Sequence, residues 1–262
     1  MAKVEVDIKT ALNIDKFLGR VKRNRIALVG IELEGGWKKL PDGINLTHDG
    51  SLTGLGEQDH PTRDELEAAR RGSKQLHIGE LQSEPLEPVK LTAWMKQYYP
   101  NHMNETCGLH VHMSFHRAKH YMQLMVPEYT ATIVEYIGRW AEREHLDHKH
   151  PIWKRLAGEN EHCKHLFYAD IQAKATKKDY SHDYPGNRYT CINYCNGLHS
   201  TLECRLLCMM ETYEQGVRAV QNILDITNSF LIVTAKREEK LKAELQLSAG
   251  DYVYVDRRLE RV

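Results

Sequence analysis

Three residue pairs in this chain combine reactive side chains with the spacing of a β-strand: Glu32 with Glu34, His110 with His112, and Glu203 with Arg205. Each lies in an apolar segment, namely 26–34, 107–115 and 200–208. Side chains two apart on a strand share a face. If the three strands belong to one sheet, a single face carries three glutamates, two histidines and an arginine. Carboxylate oxygens suit Mg²⁺, and added imidazole tolerates Mg²⁺ and favours Mn²⁺. Arg205, in register with Glu203, would face a phosphate with a planar fork of donors. Alone, Glu-x-Glu is usually a strand running into solvent, and His-x-His is more often structural than a ligand pair. The recurrence in three segments outweighs those readings.

Segment 26–31 is β-branched and apolar, and it reads as a strand buried on both faces and ended after Glu34 by Gly35 and Gly36. Segment 75–83 reads as a second strand carrying Glu80, and 188–194 as a partner of 200–208 through an Asn196-Gly197 hairpin turn. Asp49-Gly50-Ser51 marks a tight turn, and 57–75 a polar loop with a helical turn near 63–71. Helices are expected at 10–19, from Pro88 to about Tyr99, over most of 121–146 with Pro127 near its start, and over 213–235. Leu91, Trp94, Met95 and Tyr98 form the apolar face of the second helix; Tyr129, Ile133, Ile137, Trp140 and Ala141 form that of the third. Strands clustered beside long helices, not alternating with them, predict an α+β fold with an antiparallel sheet. The expected organisation is a single domain over 1–262, with a polar insertion around 147–187 and a C-terminal helix and tail over 213–262.

The charge balance is even, with 36 basic and 36 acidic residues in 262, so no global field draws the chain to nucleic acid or an anionic membrane. No apolar run approaches a membrane span, and the first residues lack a signal-peptide core. Six cysteines in this length read as reduced thiols, which predicts the cytoplasm. His145, His148, His150, His162 and His165, with Cys163, match no standard zinc spacing and read as a solvated polar segment. Trp37 suits a pocket wall or the core equally, and 236–242 a solvated helix end. No Gly-x-x-x-x-Gly-Lys-Ser/Thr loop occurs, which removes the commonest nucleotide site.

The ordered segments Gly30-Ile-Glu-Leu-Glu34, Asp49-Gly-Ser-Leu52, Gly79-Glu-Leu-Gln-Ser-Glu-Pro85, Cys107-Gly-Leu-His-Val-His112, Arg188 with Asn193, and Thr201-Leu-Glu-Cys-Arg205 resemble the amidoligases of the glutamine synthetase and glutamate–cysteine ligase superfamily. The resemblance runs from about residue 26 to 211. It implies a curved antiparallel sheet of the glutamine synthetase catalytic type and an ATP-dependent carboxylate–amine ligase that works through an acyl phosphate. It implies ATP and two Mg²⁺ or Mn²⁺ ions, one shared by Glu32, His110 and Glu203, the other held by Glu34 and Glu80. The third acidic ligand of the second ion has no clean counterpart, and Glu84 or Asp49 would serve. Arg205 resembles the residue that steadies the transferring phosphoryl group. Arg188 resembles the basic residue near the nucleotide or acyl phosphate, and Asn193 that site's polar wall. His112 falls to a supporting, substrate-side place beside the nucleotide.

The partners implied are a small-molecule or peptide carboxylate and a free amine or ammonia, since no glutaminase segment is recognisable. Two rivals remain: a hydrolase using the same ligands to activate water, and a non-catalytic relative that keeps the fold for binding.

Overall fold

Five segments that alternate core-facing with polar or small residues pair into one antiparallel sheet in a computed structural model of the chain. The structure describes residues 25–40, 44, 46–56, 76–165, 189–195, 201–247, 252–255 and 258–261, with side chains as far as Leu241. In chain order the elements are β1 (Ile26–Trp37), β2 (His77–Gln82), a 3₁₀ turn (Pro88–Lys90), α1 (Leu91–Tyr98), β3 (Gly108–Phe115), α2 (Ala118–Gln123), α3 (Pro127–Arg143), α4 (Ile152–Leu156), β4 (Ile192–Cys195), β5 (Thr201–Cys208), α5 (Tyr213–Leu247), β6 (Tyr252–Val255) and β7 (Arg258–Arg261). The large sheet has the order β2-β1-β3-β5-β4, and β6 pairs with β7 in a separate ribbon. The protein is therefore α+β, as its strand and helix pattern predicts.

The register divides the sheet into two chemically different faces. Val29 pairs with Met113, Ile31 with Val111 and Leu33 with Leu109; Val111 and Met113 then meet Cys204 and Leu202 of β5. All of these are buried. They form one core with Ile133 and Ile137 of α3 and with Ala219, Val220, Ile223 and Leu224 of α5. Helices α3 and α5 pack on each other, α1 packs on α5, and α4 lies against β5. On the opposite face Glu34 pairs with Glu80, Glu32 with Gln82 and His110, and Glu203 with His112 and Asn193. The three i, i+2 pairs thus do share a sheet.

Several boundaries differ from the sequence reading for identifiable reasons. Gly35 and Gly36 do not end β1; they lie inside it, facing Gly79 and Ile78. At Gly35 an added Cβ would stand 2.7 Å from Cβ of Pro100 and 2.9 Å from the His102 carbonyl, so the glycine admits a crossing chain. Segment 26–31 is not buried on both faces, because Leu28 is 37% exposed. The helix expected over 121–146 is two helices. Val126 is extended, as suits a residue before proline, and Pro127 opens α3. Helix α5 runs twelve residues past the expected end, through a stretch rich in Lys, Glu and Leu, all good helix formers. The β6–β7 ribbon had no counterpart in the sequence reading. The readings for 10–19, 57–75, Arg188 and Asn196-Gly197 lie outside the described residues. None of the described helices is long and apolar enough to cross a membrane.

Candidate metal centre

Strand pairing brings the acidic and imidazole groups into one row. Glu32 lies opposite His110, and its Oε2 is 2.9 Å from Nδ1 of that ring. The same Nδ1 is 3.7 Å from Glu203 Oε1, while the other nitrogen, Nε2, is 3.6 Å from Glu34 Oε1. Two groups result: Glu32, His110 and Glu203, and Glu34, Glu80 and His110. Within each, the potential ligand atoms lie within 4.8 Å of one another. His110, 1% exposed, stands between the groups with one ring nitrogen toward each. Neither Glu84 nor Asp49 completes the second group among the described residues; His110 does.

Close packing of main chain against carboxylate fixes this geometry. Gly108 N–H donates to Glu34 Oε2 at 2.5 Å. A Cβ at Gly108 would sit 2.5 Å from His110 Nε2 and 3.1 Å from Glu34 Oε1, so any larger residue intrudes on the site itself. Thr47 Oγ1 donates to Glu80 Oε1 at 3.2 Å, and Gln82 Nε2 donates to the same oxygen at 2.7 Å. His112 stands behind Glu32, with Nε2 3.0 Å from Glu32 Oε1 and Nδ1 3.3 Å from Thr201 Oγ1. It orients Glu32 and belongs to neither ligand group.

The carboxylates are held in unequal charge states. Burial opposes ionisation of Glu32, but hydrogen bonds from His110 and His112 outweigh it and keep this carboxyl well below the usual range. Glu203 is also lowered; burial works against its charge, and Arg205, His110 and His112 more than offset that. Burial, then the charges of Glu32, Glu34 and Asp49, push Glu80 up to about 9. His112 is raised above its ordinary value, because the hydrogen bond and charge of Glu32 outweigh burial. Glu34 Oε1 is buried without a hydrogen-bond partner. An orphaned carboxylate oxygen, a neighbouring acid driven toward its neutral form and an imidazole aimed between them are what a cation would satisfy. The residues fit a metal ion.

Arg205 borders the first group. Its Nη1 donates to Glu203 Oε1 at 2.5 Å, its Nε donates to the His162 carbonyl at 3.3 Å, and its guanidinium lies over the Tyr189 ring, 6.0 Å from the centroid. Asn193 Nδ2 donates to the other Glu203 oxygen at 2.9 Å. Arg205, Glu203, Tyr189 and Asn193 wall a cavity of about 650 Å³ together with Glu32, Glu80, His112 and the turn at Asp49 and Gly50. In that turn Ser51 N–H and Oγ both donate to Asp49 Oδ1 at 2.6 Å. The cavity volume is that of a small-molecule site.

No family model, curated protein or solved structure matches this chain.

Of the sequence-predicted residues, Glu32, Glu34, Glu80, His110, Glu203, Arg205, Asn193 and His112 converge here, and Arg188 lies outside the described residues. Gln82, Thr47, Thr201 and Tyr189 were given no role, and His162 was read as part of a solvated polar segment. Gln82 and Thr201 each stand two residues from a site glutamate, so strand period alone would have found them. Tyr189 and His162 reach the site through tertiary packing and carried no such signal. Trp37 is not a pocket residue. It is 2% exposed, and its indole N–H donates to the Tyr98 carbonyl. In the described part of the His-rich segment, no metal-binding group forms. All six cysteines are free thiols, five of them buried.

Proposed function

We propose that this protein is an ATP-dependent carboxylate–amine ligase that forms an amide or peptide-like bond through an acyl phosphate, with two Mg²⁺ or Mn²⁺ ions in the paired groups. The observation that carries the reading is the arginine: Arg205 is anchored to Glu203, a member of one ligand group, at the wall of a cavity lined by Glu32 and Glu203 of that group and by Glu80 of the other. A hydrolase would use the same ligands to activate water but would leave Arg205 without a task. The ordered resemblance of Gly30–Glu34, Gly79–Pro85, Cys107–His112 and Thr201–Arg205 to the amidoligases supports the same conclusion. On this reading the sheet is of the glutamine synthetase catalytic type. The free thiols accord with a cytoplasmic setting.

A carboxylate is a poor electrophile, so the γ-phosphoryl group of ATP is moved onto it, and an amine then displaces phosphate. In this chain Glu32, His110 and Glu203 would hold one cation, and Glu34, Glu80 and His110 face the place of the other. When bound, the ions neutralise the oxygens of the transferring group. Gly108 N–H and Gln82 hold the carboxylates in place. Arg205, already fixed by Glu203 and His162, presents its remaining donors to the phosphoryl oxygens without reorganising. Asn193 keeps Glu203 oriented, and Tyr189 covers the guanidinium. The Asp49–Ser51 turn adds to the cavity wall, where a burial-opposed but hydroxyl- and amide-stabilised carboxylate stays ionised.

Release of ADP from ATP and Mg²⁺, dependent on an added carboxylate and accelerated by an amine, tests this reading directly. ATP-independent hydrolysis with the same metal requirement would overturn it.

A further inference from the structure

A second arginine lies directly behind the first. Arg155, on α4, is 2% exposed. Its Nη1 donates to the main-chain carbonyl of Arg205 at 2.9 Å. Its Nε is buried with no hydrogen-bond partner, and no carboxylate among the described residues pairs with it. Arginine does not lose its proton in proteins, so this is a buried cation held by one carbonyl. The sulfurs around it give no countercharge. Burial pushes the thiols of Cys107 and Cys208 up to about 11 and that of Cys163 up to about 12, although Arg155 pulls each the other way. A buried charge without an ion-pair partner is costly. A neutral side chain would tie α4 to the sheet at less cost, so packing alone does not account for the residue.

The carbonyl it holds belongs to a special place in β5. Leu109 pairs with Leu207, but Val111, two residues on, pairs with Cys204, three residues back. Arg205 and Leu206 therefore share the stretch opposite the single residue His110, which makes a β-bulge. A bulge re-aims side chains and leaves main-chain groups outside the ladder. Here Arg205 N–H is taken by the Cys191 carbonyl at 2.9 Å, and Arg205 C=O is taken by Arg155. The main chain of the bulged residue is thus gripped on both sides, and its guanidinium is gripped again by Glu203 and the His162 carbonyl.

We propose that Arg155 is a positioning residue: by clamping the carbonyl at the β5 bulge it sets the direction of the Arg205 guanidinium toward the acidic groups and the phosphoryl path. The second half of this statement rests on the ligase reading; the clamp itself does not. Arg155 touches no substrate, and its charge reaches the site through Arg205.

The test uses the full chain as wild type, Arg155→Lys, Arg155→Gln, Arg205→Lys and the Arg155→Lys/Arg205→Lys double variant. In protein labelled with ¹⁵N-arginine, the Arg205 Nε–H signal is identified by its loss in Arg205→Lys. The expected result is a signal protected from solvent exchange in wild type, and shifted and exchanging faster in both Arg155 variants that still melt cooperatively. In kinetics, Arg155→Lys lowers carboxylate-dependent ADP formation about 10-fold with KM for ATP within about two-fold, and costs little further in the Arg205→Lys background, because the two act as one unit. An unchanged Arg205 signal, or losses that multiply independently, overturns the proposal. If wild type forms no ADP with any carboxylate, the ligase reading fails and the spectroscopic arm alone decides the clamp. Should both Arg155 variants unfold, wild type decides it: Arg155 Nη coupled across a hydrogen bond to the Arg205 carbonyl supports the proposal, and a freely exchanging guanidinium overturns it.

Discussion

Glu34 and Glu80 stand directly opposite each other in the β1–β2 ladder, two carboxylates on one face of adjacent strands. Like charges at such a position destabilise a sheet. The response of the protein is visible in Glu80, whose carboxyl burial and acidic neighbours push up to about 9.

At neutral pH the metal-free protein therefore carries a proton on Glu80 that a divalent cation must displace. Binding of Mn²⁺ at pH 7 should release a proton, and affinity should rise with pH until about 9. Calorimetry in buffers of different ionisation enthalpy reads the proton count; an enthalpy independent of buffer would contradict it. The stability consequence has a definite sign. The folded pKa is raised, so the contribution is full below the ordinary carboxylate value and is lost as pH rises through about 9. Melting temperature without metal should fall across that window, and saturating Mn²⁺ should flatten the fall.

His110 and His112 share a face but not a role. His110 has a nitrogen toward each ligand group, whereas His112 bonds Glu32 and Thr201 and belongs to neither group. His110→Ala should raise the Mn²⁺ concentration needed for half-saturation more than His112→Ala does, with the latter costing on the order of 10–100-fold, as for a group that orients a ligand. Equal shifts in the two variants would reject this division.

Gly108 is where backbone and site touch. Gly108→Ala places a methyl 2.5 Å from His110 Nε2. The expected outcome is a folded protein, less stable by about 1–3 kcal/mol from overpacking, with Mn²⁺ binding reduced far more than stability. Undiminished metal binding in this variant would show that the imidazole and carboxylate can move aside.

The legible part of this molecule was the part governed by period. Alternation at Glu32/Glu34, His110/His112 and Glu203/Arg205 located the strands and their shared face, and Pro127 marked a helix start. What escaped depends on groups distant in sequence. Gly35 and Gly36 read as a strand end, because their purpose is the chain crossing at Pro100 and His102. The bulge opposite His110 has no signature in 200–208, so a plain two-residue period placed Arg205 on the right face without revealing how it is aimed. The second metal group looked one acidic ligand short because the group closing it is an imidazole: His110 Nε2 lies 3.6 Å from Glu34 while Nδ1 faces Glu32, and a neutral ring can ligate through only one of the two. Arg155 sits in a segment that looked merely polar.

Arg205→Lys should leave ATP affinity near normal, since a positive charge remains, and should slow acyl-phosphate formation on the order of 10²–10³-fold, the usual loss when one preorganised donor is removed. Quench-flow measurement of ADP formation separates the two effects. A lysine variant with weakened ATP binding and an unchanged chemical step would assign Arg205 to binding alone.

The central claim is the chemistry of activation, and the products of one reaction decide it. The protein is incubated with ATP, Mg²⁺, a panel of carboxylates and hydroxylamine as the trapping amine, and the nucleotide products are separated. The account predicts ADP and phosphate, formed only with a suitable carboxylate, together with the matching hydroxamate. AMP and pyrophosphate would mean activation by adenylation and would contradict it at its central step.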